Sequence, residues 1–482
     1  MVRSTKLPSL VEGGVAAASA DGVVRSTKVL MINTNPARGT RDFLPADVRK
    51  REYVIGIIKE VYESYGFEPL ETPSFENLET LTGKYGEEGN QLIFRILKRG
   101  DALKEGAAIK DLSDLALRYD LTVPLARVVA HHKNDLPKYF KRYQIQPVWR
   151  ADRPARGRYR EFYQCDVDAI GSNSMLVEAE LISAVSDILN KLGFDDFVIR
   201  INHREILETL LIVFGVALED RAKVLIILDK LDKIGEFGVT QELAKDGIPL
   251  HAINGFFNVV NQLKSETDGA TAIRRINAFF EDFEEKSIGT DKLRSLFALL
   301  GNLGTNRVKV DLSLARGLSY YTGTIMEINV PDLTGSLGGG GRYDGLIGMF
   351  GKEQIPACGF SLGLERILVV MEEREMFPSH IAASTSADVM VMVFEVSIEQ
   401  SLTLAKELRQ NDLRVLIYPN EADGIGKQFK YANQINVRYI CIIGDDELAE
   451  NKVTVKNMVT GEQETVPSED VASIIQAGTD RK

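Results

Sequence analysis

Apolar and polar positions follow two different periods along the first half of the chain. Apolar side chains recur at helical spacing from residue 48 to residue 64, where Gly66 ends the pattern, and again over 175–192, so both segments are predicted helices. Short apolar runs bounded by turn residues predict strands at 115–119, 145–150 and 197–201. Short strands mixed with helices are typical of an α+β fold with a largely antiparallel sheet.

The pattern changes at about residue 204. Between residues 204 and 306, leucine, isoleucine and charged residues recur at helical spacing and strand signals are scarce, which predicts a helical insertion. Strand and glycine signals return at 308–312 and continue to about residue 376. Towards the end of the chain, a helical pattern at 398–410 alternates with apolar runs at 389–394, 415–418 and 439–443, which indicates a separate small α/β domain.

These changes divide the chain into six predicted segments. Residues 1–35 are rich in alanine, glycine, serine and valine without a clear period, so they are predicted to form a flexible tail. The other segments are a first core part at 36–203, the helical insertion at 204–306, a second core part at 307–377, a linker at 378–387 and a C-terminal domain at 388–482.

Composition excludes several classes of protein. The 482 residues carry 58 Lys and Arg against 69 Asp and Glu, so any nucleic-acid binding must use local basic patches. Three cysteines lie far apart, which excludes a disulfide framework and favours a reducing compartment. Because no run of about 18 apolar residues occurs, no membrane-spanning helix is expected. The five histidines show no metal-binding spacing.

Common nucleotide and hydrolase motifs are missing, which disfavours a P-loop ATPase, a Rossmann dehydrogenase, a zinc protease and an α/β-hydrolase. The strongest chemical signal is the segment 149–164, which holds arginines at 150, 153, 156, 158 and 160. Pro154 and Gly157 predict a turn, so the segment is predicted to be a hairpin loaded with guanidinium groups that can bind phosphate. The alternative is a solvated basic loop.

Three further segments carry candidate chemistry. Residues 314–323 set Arg316 beside Tyr320 and Tyr321. The glycines at 338–341 predict a turn rich in exposed backbone groups, or alternatively a flexible loop. Residues 359–367 predict a strand followed by a helix that carries Arg366, which could otherwise be an ordinary surface arginine.

Together these segments resemble histidyl-tRNA synthetases, from about residue 36 to about residue 475. The hairpin at 149–164 is similar to motif 2 of class II synthetases, 359–367 to motif 3, and 38–45 to the dimer-forming motif 1. Residues 117–124 and 316–321 are similar to the two segments that mark the histidine-specific enzyme. The resemblance implies a class II catalytic core with a mainly antiparallel sheet, a helical insert, and a C-terminal α/β domain that binds the anticodon.

The resemblance implies that histidine and ATP form histidyl-adenylate and pyrophosphate, after which the histidyl group passes to tRNA(His). Positioning and charge stabilisation carry such a reaction. Arg316 and Arg150 would be the catalytic residues, at the substrate carboxylate and the α-phosphate. The other ATP-binding residues would be Arg158 and Arg366 at the β- and γ-phosphates with Mg²⁺, Phe162 stacked on adenine, and Asp152 accepting from its amino group, where the family usually has Glu.

The resemblance also implies a histidine pocket. Asp120, Thr122 and Gln164 would bind the α-ammonium group, and Arg316 the carboxylate. Asp168 would accept from the imidazole N–H and Tyr321 would donate to the other ring nitrogen, with Tyr320 beside it. Asp168 could instead be a charge on a strand face, and Tyr321 a core aromatic residue.

One position departs from the family. Ser319 stands where the family usually has Asp, which could lower activity. One alternative function is a catalytically silent, synthetase-like paralogue that regulates or senses tRNA. Another is a different class II synthetase, which would need different residues in the histidine-binding segments. The expected partners are histidine, ATP, tRNA(His) and a second copy of the chain in a homodimer, with no membrane. A cytoplasmic location is expected, and the tail leaves open a second, organellar one.

Overall fold

The protein is described from a computed structural model, which covers residues 33–83, 86–100, 103, 108, 111–315, 320–351, 353–382 and 385–478. The chain divides into two compact units, Met1–Ala37 and Arg38–Lys482. Only 33–37 of the first unit are described, so the predicted tail at 1–35 lies almost entirely outside the described residues. All elements below belong to the second unit.

The first core part opens with a long helix, α1 (Pro45–Ser64), which has Pro45 at its first position and Asp47 in its first turn. The elements that follow are β1 (Glu68–Pro69), β2 (Phe75–Asn77), α2 (Leu78–Leu81), α3 (Gly86–Leu92), β3 (Arg95–Leu97), β4 (Ser113–Leu117), α4 (Thr122–His131), β5 (Phe140–Trp149), β6 (Glu161–Ile170), α5 (Leu176–Lys191) and β7 (Val198–His203). Strands β2, β4 and β3 form a small antiparallel sheet in that order.

The helical part consists of α6 (Arg204–Val213), α7 (Leu218–Leu228), α8 (Leu231–Lys245), α9 (Leu250–Leu263), α10 (Gly269–Glu281), α11 (Ile288–Leu300) and α12 (Asn302–Arg307). Sequence explains where two of these helices begin. The ring of His203 accepts from the backbone N–H of Glu205 at the start of α6, and Asp268 accepts from that of Thr271 at the start of α10. At Gly235 a φ of 70° kinks α8.

The second core part contains β8 (Val308–Val310), β9 (Thr324–Asn329), β10 (Gly338–Arg342), β11 (Ala357–Gly363), α13 (Leu364–Glu373) and α14 (Ser379–Ala382). Within the described residues, eight strands from both core parts form one sheet in the order β1-β5-β6-β11-β10-β9-β7-β8. The outermost pairings, β1 with β5 and β7 with β8, are parallel, and the pairings between them are antiparallel.

The two faces of this sheet differ in chemistry because side chains alternate along each strand. The apolar face, which includes Cys165, Val167 and Phe360, packs into a core with α1 and α5. The opposite face carries buried polar groups, among them Asp166 and Asp168. Burial of polar groups costs free energy unless they are paired, so this polar face is where function is expected.

The glycine run at 338–341 is not a turn, so that prediction was wrong. It forms β10 in the centre of the large sheet, between β11 and β9. The reason is the close approach of neighbouring chains: a Cβ on Gly340 would come within 2.1 Å of the Gly359 carbonyl oxygen. Glycine normally weakens a strand, but here it is the residue that fits.

Gly340→Ala is therefore expected to lower the free energy of unfolding by at least about 2 kcal/mol, because the added methyl group overlaps backbone. Gly339→Ala is the matched control, since its Cβ would meet only the Met326 carbonyl oxygen, at 3.2 Å. Denaturant unfolding of both variants measures the difference. Equal unfolding midpoints would show that the close approach does not constrain this strand.

The C-terminal domain contains β12 (Val389–Val391), α15 (Ile398–Gln410), β13 (Val415–Ile417), α16 (Ile425–Gln434), β14 (Tyr439–Ile442), α17 (Asp445–Glu450), β15 (Lys452–Asn457), β16 (Gln463–Pro467) and α18 (Val471–Gly478). Its strands form a sheet of their own in the order β13-β12-β14-β15-β16. It has separate hydrophobic clusters, with Leu404 and Leu408 of α15 in one of them. A buried Gln428 donates to and accepts from the backbone of Val393 and so ties α16 to the sheet.

The predicted α+β class, with a mainly antiparallel core sheet, a helical part and a separate C-terminal α/β domain, is confirmed. The strands and helices differ from their predicted bounds by a few residues. The six segment boundaries stay predictions. Among the described residues, no helix is long and apolar enough to cross a membrane.

Candidate functional site

The polar face of the large sheet has a floor of glycines. Cross-strand partners on this face form three rows across β5, β6, β11 and β10: Arg142, Asp168, Gly359 and Gly341; Gln144, Asp166, Ser361 and Gly339; and Gln146, Gln164 and Gly363. We call Gly339, Gly341, Gly359 and Gly363 the glycine floor. Glycines carry no side chain, so side chains from neighbouring segments can lie close over the backbone of the glycine floor.

One end of the glycine floor lies between Asp168 and Tyr321. A Cβ on Gly359 would come within 1.8 Å of the Asp168 Oδ1 atom, and a Cβ on Gly341 would lie 3.0 Å from the Tyr321 ring. Gly359 and Gly341 are direct cross-strand partners. The two residues predicted to bind the imidazole therefore border neighbouring glycines of a single row.

Asp168 is almost completely buried and already has partners in the protein. Its Oδ2 atom lies 2.8 Å from the Arg142 guanidinium group, and its Oδ1 atom accepts from the Tyr343 hydroxyl at 2.5 Å. Burial raises the pKa of Asp168, while Arg142 and the Tyr343 hydrogen bond oppose the rise. Burial also raises the pKa of Asp166, to about 7.

Tyr320 connects this end of the site to the arginine hairpin. Its ring lies 4.6 Å from that of Tyr321. Burial, and next the negative charge of Asp120, raise the pKa of Tyr320, whereas Arg150 lowers it. Tyr320 therefore interacts electrostatically with both a predicted histidine-binding carboxylate and a predicted ATP-binding cation.

The residues predicted to bind the α-ammonium group lie at two places around the site. Asp120 is buried, and its Oδ1 atom accepts from the Val123 N–H at the start of α4, where Thr122 is the first helical residue. Gln164 donates to the Ser361 hydroxyl at 2.8 Å, while its own Oε1 atom is buried without a hydrogen-bond partner among the described residues. Such an atom needs a partner, which a ligand could supply.

Arg118 holds the backbone that carries Asp120. Its fully buried guanidinium group donates to the carbonyl oxygens of Thr72, Pro73 and Pro147. Burial lowers the pKa of Arg118 to about 10, so the group stays a cation at neutral pH. The side chain thus ties the segment before α4 to β5.

Arg150 lies between two aromatic rings. Its guanidinium carbon is 4.3 Å from the centre of the Tyr119 ring and 5.2 Å from that of Phe162, and its Nε donates to the Tyr119 carbonyl oxygen. Cation–π contacts of this kind hold a guanidinium group in place while leaving its terminal nitrogens able to bind other groups. Arg150 and Phe162, both predicted to bind ATP, are therefore neighbours.

The predicted hairpin at 149–164 is formed by β5, β6 and the loop between them, which is closed by a bridge from Ala155 to Arg158. Arg158 pairs with Asp152 at 2.9 Å. Arg366, at the start of α13, contacts the turn at Gly157, since a Cβ there would lie 3.2 Å from the Arg366 side chain. Arg366 also donates to the Ser336 carbonyl oxygen.

Helix α1 connects these segments. Arg51 lies over the rings of Phe43 and Tyr163 and pairs with the buried Glu365 at 2.8 Å. Glu365 in turn accepts from the Tyr163 N–H. The segments at 38–45, 149–164 and 359–367 are therefore one connected structure, although they lie far apart in the sequence.

Two predicted features fall outside the described residues. Arg316, predicted to be catalytic, and Ser319, the departure from the family pattern, belong to 316–319. Tyr320 and Tyr321 directly follow this segment, and the Tyr321 carbonyl oxygen accepts from Arg204 at the start of α6.

Sequence reasoning missed Arg142, Tyr343 and the glycine floor. A signal for Arg142 was present, because Arg142, Gln144 and Gln146 alternate with apolar residues along β5 as a polar strand face does. Nothing in the sequence marked Tyr343, because its contact with Asp168 joins residues that are 175 positions apart.

Residues 39–367 match the family model described as histidyl-tRNA synthetase, and residues 388–478 match the one described as anticodon binding domain. The first match alone spans more than half of the chain.

Similar proteins cover nearly the whole chain. Proteins named histidine–tRNA ligase from Christiangramia forsetii and Flavobacterium johnsoniae are 41% and 40% identical to it, covering 88% and 90% of this chain and 95% and 97% of their own. The crystal structure of histidyl-tRNA synthetase from Nostoc sp. PCC 7120 is 33% identical with a TM-score of 0.77, covering 93% of this chain and all of that one.

Proposed function

Because this chain belongs to the histidyl-tRNA synthetase family, we propose that the polar face of its large sheet binds histidine at one end of the glycine floor and ATP at the other. The chain is a histidine–tRNA ligase, with ATP as a substrate. The observation that carries the residue assignment is the register of β11: Asp168 borders Gly359, whereas Gln164 and Arg366 border Gly363, roughly 13 Å further along the strand.

In the first step, a carboxylate oxygen of histidine attacks the α-phosphorus of ATP. The bond from this phosphorus to the bridging oxygen breaks, which gives histidyl-adenylate and pyrophosphate. Arg316 holds the attacking carboxylate, and Arg150 and Arg316 stabilise the negative charge that builds up at the α-phosphate. No side-chain nucleophile is required, because the substrate carboxylate is the nucleophile and the site supplies position and charge.

Histidine is held at both of its ends. Asp120, Thr122 and Gln164 accept from the α-ammonium group, Asp168 accepts from the imidazole N–H, and the Tyr321 hydroxyl donates to the other ring nitrogen beside Tyr320. An apolar amino acid would leave these buried polar groups unpaired. A pocket of this kind rejects a wrong substrate by about 10⁴–10⁵-fold without editing.

ATP is held by the hairpin and α13. Phe162 stacks on adenine, Asp152 accepts from its amino group, and Arg158 and Arg366 bind the β- and γ-phosphates. Mg²⁺ arrives with ATP as part of the substrate. No group of three His, Cys, Asp or Glu side chains in the described part of the chain could hold a metal ion, so phosphate oxygens and water would supply most of its ligands.

In the second step, a hydroxyl oxygen of the 3′-terminal ribose of tRNA(His) attacks the carbonyl carbon of histidyl-adenylate. The bond from this carbon to the phosphate oxygen breaks, so that histidyl-tRNA forms and AMP leaves. The C-terminal domain, which matches the anticodon-binding family, is proposed to bind the anticodon as unstacked single-stranded bases. The division at 36–203, 204–306, 307–377 and 388–482 is proposed to separate the catalytic core from the helical insert and from this domain.

Assembly and location are also proposals. A homodimer through the segment at 38–45 is supported by the apolar side chains of Leu44 and Val48, which are exposed beside it. A cytoplasmic location follows from the expected access to tRNA, and a role of the tail in a second, organellar location stays a prediction.

Histidine-dependent exchange of labelled pyrophosphate into ATP tests the first step. Exchange is expected with histidine and with no other protein amino acid, followed by charging of tRNA(His) when the tRNA is added. Exchange that is absent with every amino acid would favour the silent paralogue. Exchange with a different amino acid would mean that the proposed imidazole contacts are wrong.

A further inference from the structure

We propose that Arg142 is a specificity-determining positioning residue, which fixes the Asp168 carboxylate and the backbone at Leu121 in one arrangement that fits histidine. This inference rests on the proposed function and goes one step deeper, because it assigns a residue that is not expected to touch the substrate. Arg142 would thereby fix the distance between the groups that bind the imidazole and the groups that bind the α-ammonium group.

The first observation is the placement of Arg142 under the site. Its side chain is completely buried on β5, and its Nη2 atom lies 2.8 Å from Asp168 Oδ2 and 3.2 Å from the Leu121 carbonyl oxygen. Asp168 is proposed to bind the imidazole, while Leu121 lies directly between Asp120 and Thr122. One rigid, planar guanidinium group therefore joins the two ends of the histidine site.

The second observation is how fully the Asp168 carboxylate is oriented. Arg142 faces one oxygen, and the Tyr343 hydroxyl donates to the other at 2.5 Å. Gly359 gives the carboxylate the space it occupies. Asp168 Oδ2 forms an ion pair with Arg142 but accepts no hydrogen bond among the described residues. A carboxylate positioned on both sides in this way has its direction of acceptance towards the substrate set before binding.

The third observation is the charge balance. The charged and titratable groups that interact electrostatically with Asp168 include Arg142 on β5, Asp166 on its own strand, Asp120 before α4 and Tyr343 after β10. Cys358 on β11 and Tyr62 on α1 interact with it from the apolar side of the sheet. Arg142 is the cation of this set, and the carboxylates of Asp120 and Asp166 disfavour ionisation of Asp168. Without Arg142, Asp168 would therefore be protonated at a higher pH and would lose an acceptor for the imidazole N–H.

The test compares Arg142→Lys with Arg342→Lys in the full-length protein. Lysine keeps the charge, but its shorter side chain holds that charge farther from Asp168 Oδ2. Its single ammonium group also cannot replace the Arg142 Nη1 atom, which donates to Gln144 Oε1 at 3.2 Å. Arg342 is a matched control, because it too is a buried arginine that pairs with a buried carboxylate, that of Glu178, but at the other face of the sheet. Pyrophosphate exchange gives kcat and the KM values for histidine and ATP, at pH 8 and pH 6.5.

For Arg142→Lys we expect a histidine KM at least about tenfold higher, an ATP KM within about twofold of wild type, and a histidine KM that rises more steeply than the wild type's as the pH falls. Arg342→Lys is expected to lower the melting temperature with both KM values unchanged. A histidine KM within twofold of wild type, or an equal rise in both KM values, would overturn the proposal.

A second variant tests the orientation of Asp168 even if the Arg142→Lys protein does not fold. Tyr343→Phe removes one hydroxyl from the same carboxylate, and it is expected to raise the histidine KM about threefold or more. An unchanged histidine KM in this variant would overturn the proposed orientation of Asp168. If wild-type protein exchanged pyrophosphate with no amino acid, the proposed function itself would fail, which is a different result from an unaffected Arg142 variant.

Discussion

Replacing Arg150 by alanine is expected to slow histidine-dependent pyrophosphate exchange by about 10²–10³-fold, mainly through kcat. The loss follows from removing a fixed cation from the place where charge develops on the α-phosphate. The structure supports this position because Arg150 is held over the rings of Tyr119 and Phe162, next to the predicted adenine platform. Single-turnover formation of the adenylate measures the effect without interference from tRNA transfer.

Arg156→Gln is the matched control for Arg150→Ala. Arg156 belongs to the same hairpin, but its exposed guanidinium group pairs with Glu373 of α13. Exposed ion pairs contribute little free energy, so exchange within about twofold of wild type is expected. If both variants lost activity to the same extent, Arg150 would contribute only to the general positive charge of the hairpin and would have no specific role at the α-phosphate.

Gly359→Ala is expected to raise the histidine KM at least about tenfold and to lower the free energy of unfolding by on the order of 2–3 kcal/mol. The new methyl group would occupy the position of the Asp168 carboxylate, at 1.8 Å from its Oδ1 atom. Asp168 would have to move, and it cannot do so without losing its contacts with Arg142 and Tyr343. Exchange kinetics and denaturant unfolding measure the two effects separately.

Gly56→Ala provides a control for the general effect of replacing a glycine. Gly56 lies within α1, and a Cβ there would meet nothing within 4 Å. Alanine favours helix over glycine by about 1 kcal/mol, so equal or higher stability and wild-type kinetics are expected. A folded Gly359→Ala protein with a wild-type histidine KM would show that the Asp168 carboxylate is not where histidine binds.

Much of the fold could be predicted because its signals are local. The helical period before Gly66 correctly predicted α1. The arginine-rich segment with Pro154 and Gly157 correctly predicted the hairpin of β5 and β6. The change of pattern near residue 204 gave the helical part. Hydrophobic periodicity and turn residues act over a few positions, so one sequence is enough to reveal them.

The glycine run at 338–341 shows where local reasoning fails. Four consecutive glycines usually indicate a turn, yet they form a central strand because β11 and β9 approach too closely for side chains. This strand is determined by tertiary structure, since it depends on residues of other segments that folding brings next to the glycines. Local propensity is overridden wherever packing imposes such a restriction.

By itself the sequence determined the α+β class, the succession of helical and strand-forming segments, and the residue types able to bind a nucleotide and an imidazole. Only the tertiary structure decided which of these residues meet. It places Asp168 and Tyr321 beside paired glycines, and it brings Arg142 into contact with both Asp168 and the Leu121 carbonyl oxygen. The physical reason is the distance along the chain over which each kind of interaction acts. Periodicity and capping act between neighbours in the chain, whereas a binding site is made of charges and hydrogen bonds between residues that only folding brings together.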